Sequence, residues 1–164
     1  TQGHLQLALG KAEQALENWQ KASAIYSEIK DTEGIIGSQL NQAQALQYLG
    51  LYRRAKKTLE QLESSLNSQA NSPIKVTGLR SLGNALRVIG DLEKSRTLLQ
   101  QSLSIAQELR SKEAISAVYF SLGNVARDLA KNAIELEDTS TAKTETETAL
   151  NAYQEAIKTS VSPK

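Results

Sequence analysis

The sequence predicts an all-α chain, a solenoid of antiparallel helix hairpins, on three observations. The tetrapeptide Ser81-Leu82-Gly83-Asn84 returns 40 residues later as Ser121-Leu122-Gly123-Asn124. Aligned at that period, Gly3, Ala43, Gly83 and Gly123 are all tiny, and Leu9, Leu49, Ile89 and Leu129 are all apolar. Gly10, Gly50 and Gly90 recur with Ala130 as the fourth member, Ala15, Ala55 and Ser95 are small, and Trp19, Leu59 and Leu99 are large. Finally, the chain is rich in Gln, Ala, Leu and Ser and has only two prolines among 164 residues, a mix that suits helices better than sheets.

Each column has a physical meaning. A tiny residue inside a helix lets a neighbouring backbone come close, which offsets its poor helix propensity. A Gly after an apolar run, as in Leu49-Gly50-Leu51, stops a helix and makes a tight turn. Ala15, Trp19 and Ala22 follow the spacing i, i+4, i+7 and line one helical stripe. One such hairpin cannot bury its apolar faces alone, whereas stacked hairpins share a continuous core.

In order along the chain, residues 1–9 read as the tail of a helix whose start is missing. A long helix follows over about 11–29, then pairs at about 33–49 with 52–67 and 73–89 with 92–110. Between them, Asn67 to Pro73 is a loop, with Ser72 able to cap the next helix and Pro73 suited to its first turn. The last unit is irregular. Its Ala149 stands 26 positions after Gly123 rather than about 12, with the polar, Thr-rich stretch Leu136–Thr148 between them. This reads as an insertion of 14 residues at about 135–147, partly an extension of the inner helix and partly a loop, before a final helix at about 145–160. The expected units are 1–32, 33–72, 73–111 and 112–164, all in a single solenoid.

These residues resemble the tetratricopeptide repeat (TPR), which has Leu-Gly in its first helix and an Ala, an aromatic and a further Ala in its second. Leu82-Gly83 and Leu122-Gly123 match the first part; Ala15-x3-Trp19-x2-Ala22 and Ala149-x3-Tyr153-x2-Ala156 match the second. The resemblance implies a right-handed superhelical solenoid of about four units, the first truncated. The period is longer than the usual ~34 residues of the motif. Long repeats of this kind are similar to bacterial, particularly cyanobacterial, arrays that precede a caspase-like (CHAT) peptidase domain.

Composition narrows the function. A formal net charge of +1 gives no global field toward nucleic acid or an anionic membrane. The chain has no cysteine, so it has neither disulfides nor thiolate metal sites nor a Cys nucleophile. No run of about 18 apolar residues is present to span a membrane. The single histidine, His4, has no clustered Cys or carboxylate partner, and the glycines follow the helical repeat instead of forming a phosphate loop. No enzyme activity, cofactor or metal is therefore expected. The run Arg53-Arg54-Ala55-Lys56-Lys57 reads as a solvated convex face, without the aromatics that nucleic-acid stacking needs. A cytoplasmic location is the default expectation. The opening Thr1-Gln2-Gly3, without Met, reads as the interior of a longer polypeptide.

The candidate site is the concave face formed by the first helices of the hairpins. One step round from the tiny column, Arg80, Asn84 and Arg87 share a stripe that Phe120, Asn124 and Arg127 repeat. The second unit offers Gln44, Gln47 and Tyr48 beside Leu40. Arg presents a bidentate fork to carboxylates, and Asn can bond a peptide backbone with both donor and acceptor. Family members that grip acidic C-termini use a basic and Asn clamp, of which Arg80 and Asn84 resemble one part. The completing positions hold Leu40, Gln44, Ala117 and Ser121, a departure that argues against a standard carboxylate clamp. The expected function is a protein-interaction module binding a peptide or partner domain. The alternative is a regulatory array in cis for an attached effector domain such as a caspase-like peptidase.

Overall fold

Hairpin turns in this chain are made where one residue holds a left-handed backbone. Gly10, Gly50 and Gly90 have φ of 74°, 71° and 88°, which glycine adopts without penalty. Each closes a helix end with paired backbone bonds: Gly50 N–H donates to the Gln47 carbonyl at 2.9 Å and Leu51 N–H to that of Leu46 at 2.8 Å. The next helix starts on a capping side chain in several places. Asp31, Ser72, Asp91 and Ser111 each accept a bond from the backbone N–H three residues on.

The computed structural model describes residues 2–160. Those residues form eight helices in chain order, with no strand among them. They are α1 (Gln2–Ala8), α2 (Ala12–Glu28), α3 (Thr32–Tyr48), α4 (Tyr52–Asn67), α5 (Pro73–Val88), α6 (Leu92–Glu108), α7 (Lys112–Glu135) and α8 (Thr139–Ser160). The chain divides into two compact units, Thr1–Gln69 and Ala70–Lys164.

In the first unit, α2 packs against α1 and α3, and α3 against α4. Its core gathers Ala15, Leu16, Trp19, Ala45, Leu46 and Ala55, flanked by Leu7 and Leu49. Trp19 lies directly on Gly3: a Cβ placed at Gly3 would come within 2.6 Å of the indole. His4, itself exposed, meets the same ring edge-on at 5.2 Å. The basic run at the start of α4 is solvent-exposed at Arg53, Arg54, Lys56 and Lys57, as expected for a solvated face.

In the second unit, α6 packs on α5 and α7, α7 on α8, and α5 touches α7. The tiny column again receives the large one. A Cβ at Gly83 would stand 2.8 Å from Leu99 Cγ, and one at Gly123 would stand 2.5 Å from Tyr153 Cε1. Closeness also lets serines bond across helices. Ser95 Oγ donates to the Gly83 carbonyl at 2.7 Å, Ser102 Oγ to that of Val76 at 2.9 Å, and Ser116 Oγ to that of Ala156 at 2.7 Å.

The last hairpin differs from the sequence expectation. The stretch expected to be partly loop is helical on both sides of a short turn, and the final helix starts at Thr139. The left-handed residue stands 7 positions after the tiny one in the third pair, Gly83 to Gly90, and 14 after it in the fourth, Gly123 to Glu137. The stretch between the close contact and the turn is thus longer by seven residues on each side of the hairpin, close to two turns, which returns every side chain to its original face. The Thr-rich segment is helical, and its hydroxyls bond back to the preceding turn, Thr144 to Ser140, Thr146 to Ala142 and Thr148 to Thr144. Glu145 within it also binds Arg96 of α6 at 2.6 Å, fixing the extension to the neighbouring outer helix.

The two kinds of helical glycine make opposite predictions. Nothing lies within 4 Å of a Cβ at Gly37, so Gly37→Ala should stabilise the chain by about 0.5–1 kcal/mol through backbone entropy. Gly83→Ala should destabilise it by about 1–3 kcal/mol, because the fully buried Leu99 must move. Urea denaturation of both variants checks the signs.

Candidate functional site

Helices α5, α7 and α8 enclose an open cavity of about 890 Å³. Arg80 enters from α5, Ser116, Ala117 and Phe120 from α7, and Tyr153, Ala156 and Ile157 from α8. Phe120 and Ile157 are 57% and 65% exposed, so the cavity presents apolar surface to solvent. The Phe120 and Tyr153 rings meet at 5.8 Å, tilted by 52°. Arg80 is half-buried at the rim and finds no carboxylate partner among the described residues. Lys112 and Glu113 complete the rim.

The candidate stripe divides by role. Arg80 and Phe120 line the cavity. Asn124 is turned to the outer helix and accepts a bond from the Tyr153 hydroxyl at 3.0 Å. Asn84, in the same column, is half-buried beside a hairpin whose corresponding outer residue is Leu99, with no hydroxyl to offer. Arg87 donates to Asp128 of α7 at 2.5 Å, and its Nε is buried without a partner. Arg127 donates to the other oxygen of the same carboxylate through Nε at 3.1 Å and Nη2 at 2.9 Å. Gln44, Gln47 and Tyr48 lie on α3 in the first unit, where Gln44 and Tyr48 are exposed and Gln47 is half-buried.

Asp128 is the site residue that sequence reasoning missed. It stands 41 positions after Arg87, one more than the repeat period, and so belongs to no column shared with the arginines. An acid one step past the period is the signal that would have found it. Burial would raise its pKa, but hydrogen bonds from Arg87 and Arg127, aided by their charges, outweigh this and hold the carboxyl below its ordinary 3.8. Among the described residues no cluster of His, Asp or Glu could hold a metal ion.

No family model matches the chain, and no curated protein matches it. Solved structures do. The crystal structure of BtubC (BKLC) from P. vanneervenii covers 99% of this chain with a TM-score of 0.59 at 19% identity. This chain spans 63% of the length of that one. A Podosopora anserina protein assigned as a kinesin light chain, with nearly identical TPR-like repeats, covers 96% at a TM-score of 0.50 and 15% identity, over 91% of its own chain. The fold is therefore a TPR-like helical repeat, the class that the repeat columns imply. No helix among the described residues is long and apolar enough to cross a membrane.

The shared carboxylate makes a pH prediction. A depressed folded pKa stabilises above the unfolded value, near 3.8, and that stability is lost as pH falls through the folded value. Asp128→Asn should cost about 1–2 kcal/mol at pH 7, a penalty constant down to about pH 5 and shrinking below about pH 4. Denaturation of both proteins across that range checks it.

Proposed function

We propose that the chain is a protein-interaction module, and that a partner peptide or domain engages the inner-helix face of the second unit. The observation that carries this reading is the pairing of an unmatched Arg80 guanidinium with the exposed Phe120 ring at the mouth of one apolar cavity. Folded ligand sites combine apolar walls with a few oriented polar groups, and this cavity has that form. Arginine and aromatic residues also dominate binding energy at protein interfaces.

Arg87 and Asn124 have other work. One joins α5 to α7 through Asp128 and the other joins α7 to α8 through Tyr153. They set the spacing of the wall, while Arg80 and Phe120 make the contact. Asn84 has room to join them, and Gln44, Gln47 and Tyr48 offer a neutral polar surface on the first unit. The role is binding, with no catalytic step assigned to any residue. Serving as a regulatory array for an attached effector domain is the second form of the same reading, tested by sequencing the parent reading frame beyond Lys164 for a Cys–His peptidase domain.

Peptides selected from a random display library on the full chain provide the probe. Arg80→Ala with Phe120→Ala should weaken the selected peptides at least about tenfold, or about 1.4 kcal/mol, with the circular dichroism spectrum unchanged. Equal binding by the double variant would show that the inner-helix face is not the site.

A further inference from the structure

We infer that the chain associates with itself: the α3–α4 turn of one copy, apolar and basic, docks on the α7–α8 turn of a second copy, apolar and acidic. The contact uses no residue of the cavity described above and gives the chain a second interaction surface.

Both turns expose side chains that their own unit leaves uncovered. Tyr48 ends α3 and Tyr52 begins α4, and they are 69% and 68% exposed, with Leu51 between them at 38%. The basic run follows at once. Arg53, Arg54 and Lys57 make no ion pair among the described residues, and Lys56 has only a solvent-exposed contact with Glu60 at 4.0 Å. At the other turn Ile134 is 65% and Leu136 80% exposed. Leu136 precedes the left-handed Glu137 as Leu49 precedes Gly50 and Ile89 precedes Gly90. Leu49 packs on the core of its unit and Ile89 is 38% exposed. Leu136 loses such cover because seven added residues carry its turn about 10 Å further from the Gly123–Tyr153 contact. Backbone bonds from Glu137 N–H to the Ile134 carbonyl at 3.0 Å and from Asp138 N–H to that of Ala133 at 2.9 Å fix the exposed tip in place. Little order is then lost on docking.

Charge selects the occupant. Within four residues of Gly50 stand Arg53 and Arg54 and no acid. Within four of Glu137 stand Glu135 and Asp138, besides Glu137 itself, and no base. Around Gly10 and Gly90, at the same range, the two signs balance. The fourth turn is therefore the surface of this chain that best complements the second. Glu137 has no ion-pair partner among the described residues, and Glu135 has only an exposed contact with Lys131 at 3.8 Å. In a second copy, Ile134 and Leu136 lie against the two tyrosine rings while the carboxylates meet the arginines. Aromatic and Arg residues are enriched at interfaces, and opposite charges fix the register.

Sedimentation velocity of the full chain tests this. At about 20 mM salt the mass should rise with protein concentration up to about 1 mM, and about 0.5 M salt should suppress the rise. Glu135→Lys with Glu137→Lys should hold the chain monomeric; Lys30 already adopts the left-handed backbone that E137K needs. Arg53→Glu with Arg54→Glu should do the same. Mixed in equal amounts, the two variants should associate, because one keeps its basic turn and the other its acidic turn. Leu136→Ser should weaken wild-type association at least about tenfold. A wild-type chain monomeric at about 1 mM, variants that associate as the wild type does, or a mixture no heavier than its components overturns the inference. So does a monomeric chain that binds phosphatidylserine vesicles through Arg53 and Arg54, which would give the basic turn to a membrane surface.

Discussion

Everything in the second unit depends on how closely two helices approach at one point. At Gly83 and Gly123 the inner helix has no side chain, and a large residue of the outer helix, Leu99 or Tyr153, fills the space down to the backbone. The first unit repeats the device with Gly3 and Trp19. Glycine in a helix interior costs about 0.5–1 kcal/mol in backbone entropy, and burying a large side chain returns about 1.5–3 kcal/mol. The exchange favours the close pair. It also brings hydroxyls to carbonyls, so that Ser95 and Ser102 are satisfied while fully buried.

The fourth hairpin shows what the contact tolerates. Fourteen extra residues lie between Gly123 and Tyr153 relative to Gly83 and Leu99, yet the two still meet. Because each side of the hairpin gains nearly two whole turns between the contact and the turn, the added length projects beyond the contact without rotating it. Part of the projection is used: Glu145 reaches Arg96 with only 13% of its side chain exposed. Tyr153 brings a hydroxyl where Leu99 has none, and that hydroxyl holds Asn124. A change at the packing column thus decides whether the neighbouring Asn is held by the outer helix.

Most of the fold was legible because a repeat states its own rules several times. Gly10, Gly50 and Gly90 mark hairpin turns by their position alone, and Ser72-Pro73 announces the start of α5. The Thr-rich stretch was misread in part, since threonine has modest helix propensity and its back-bonded hydroxyls are invisible in a propensity scale. Glu137 hid the last turn by holding a left-handed φ of 59° without being glycine. The candidate stripe was only half legible. Helical periodicity put Arg87 and Asn124 on one stripe with Arg80 and Phe120 but carried no information on Asp128 or Tyr153, whose bonds to them cross between helices. Phe120 stays exposed beside Tyr153, and Arg80 is half-buried with no carboxylate partner among the described residues.

The measurement closest to the centre of this account is a double-mutant cycle at Gly123 and Tyr153, read by urea denaturation. If the tiny residue exists to admit the ring, Gly123→Ala destabilises the wild-type chain. In the Tyr153→Ala background the same change no longer meets the ring, and helix propensity should make it stabilising by about 0.5–1 kcal/mol. The sign of the Gly123→Ala effect therefore reverses between the two backgrounds. An effect of the same sign and size in both would contradict the claim that this contact sets the spacing of the helices.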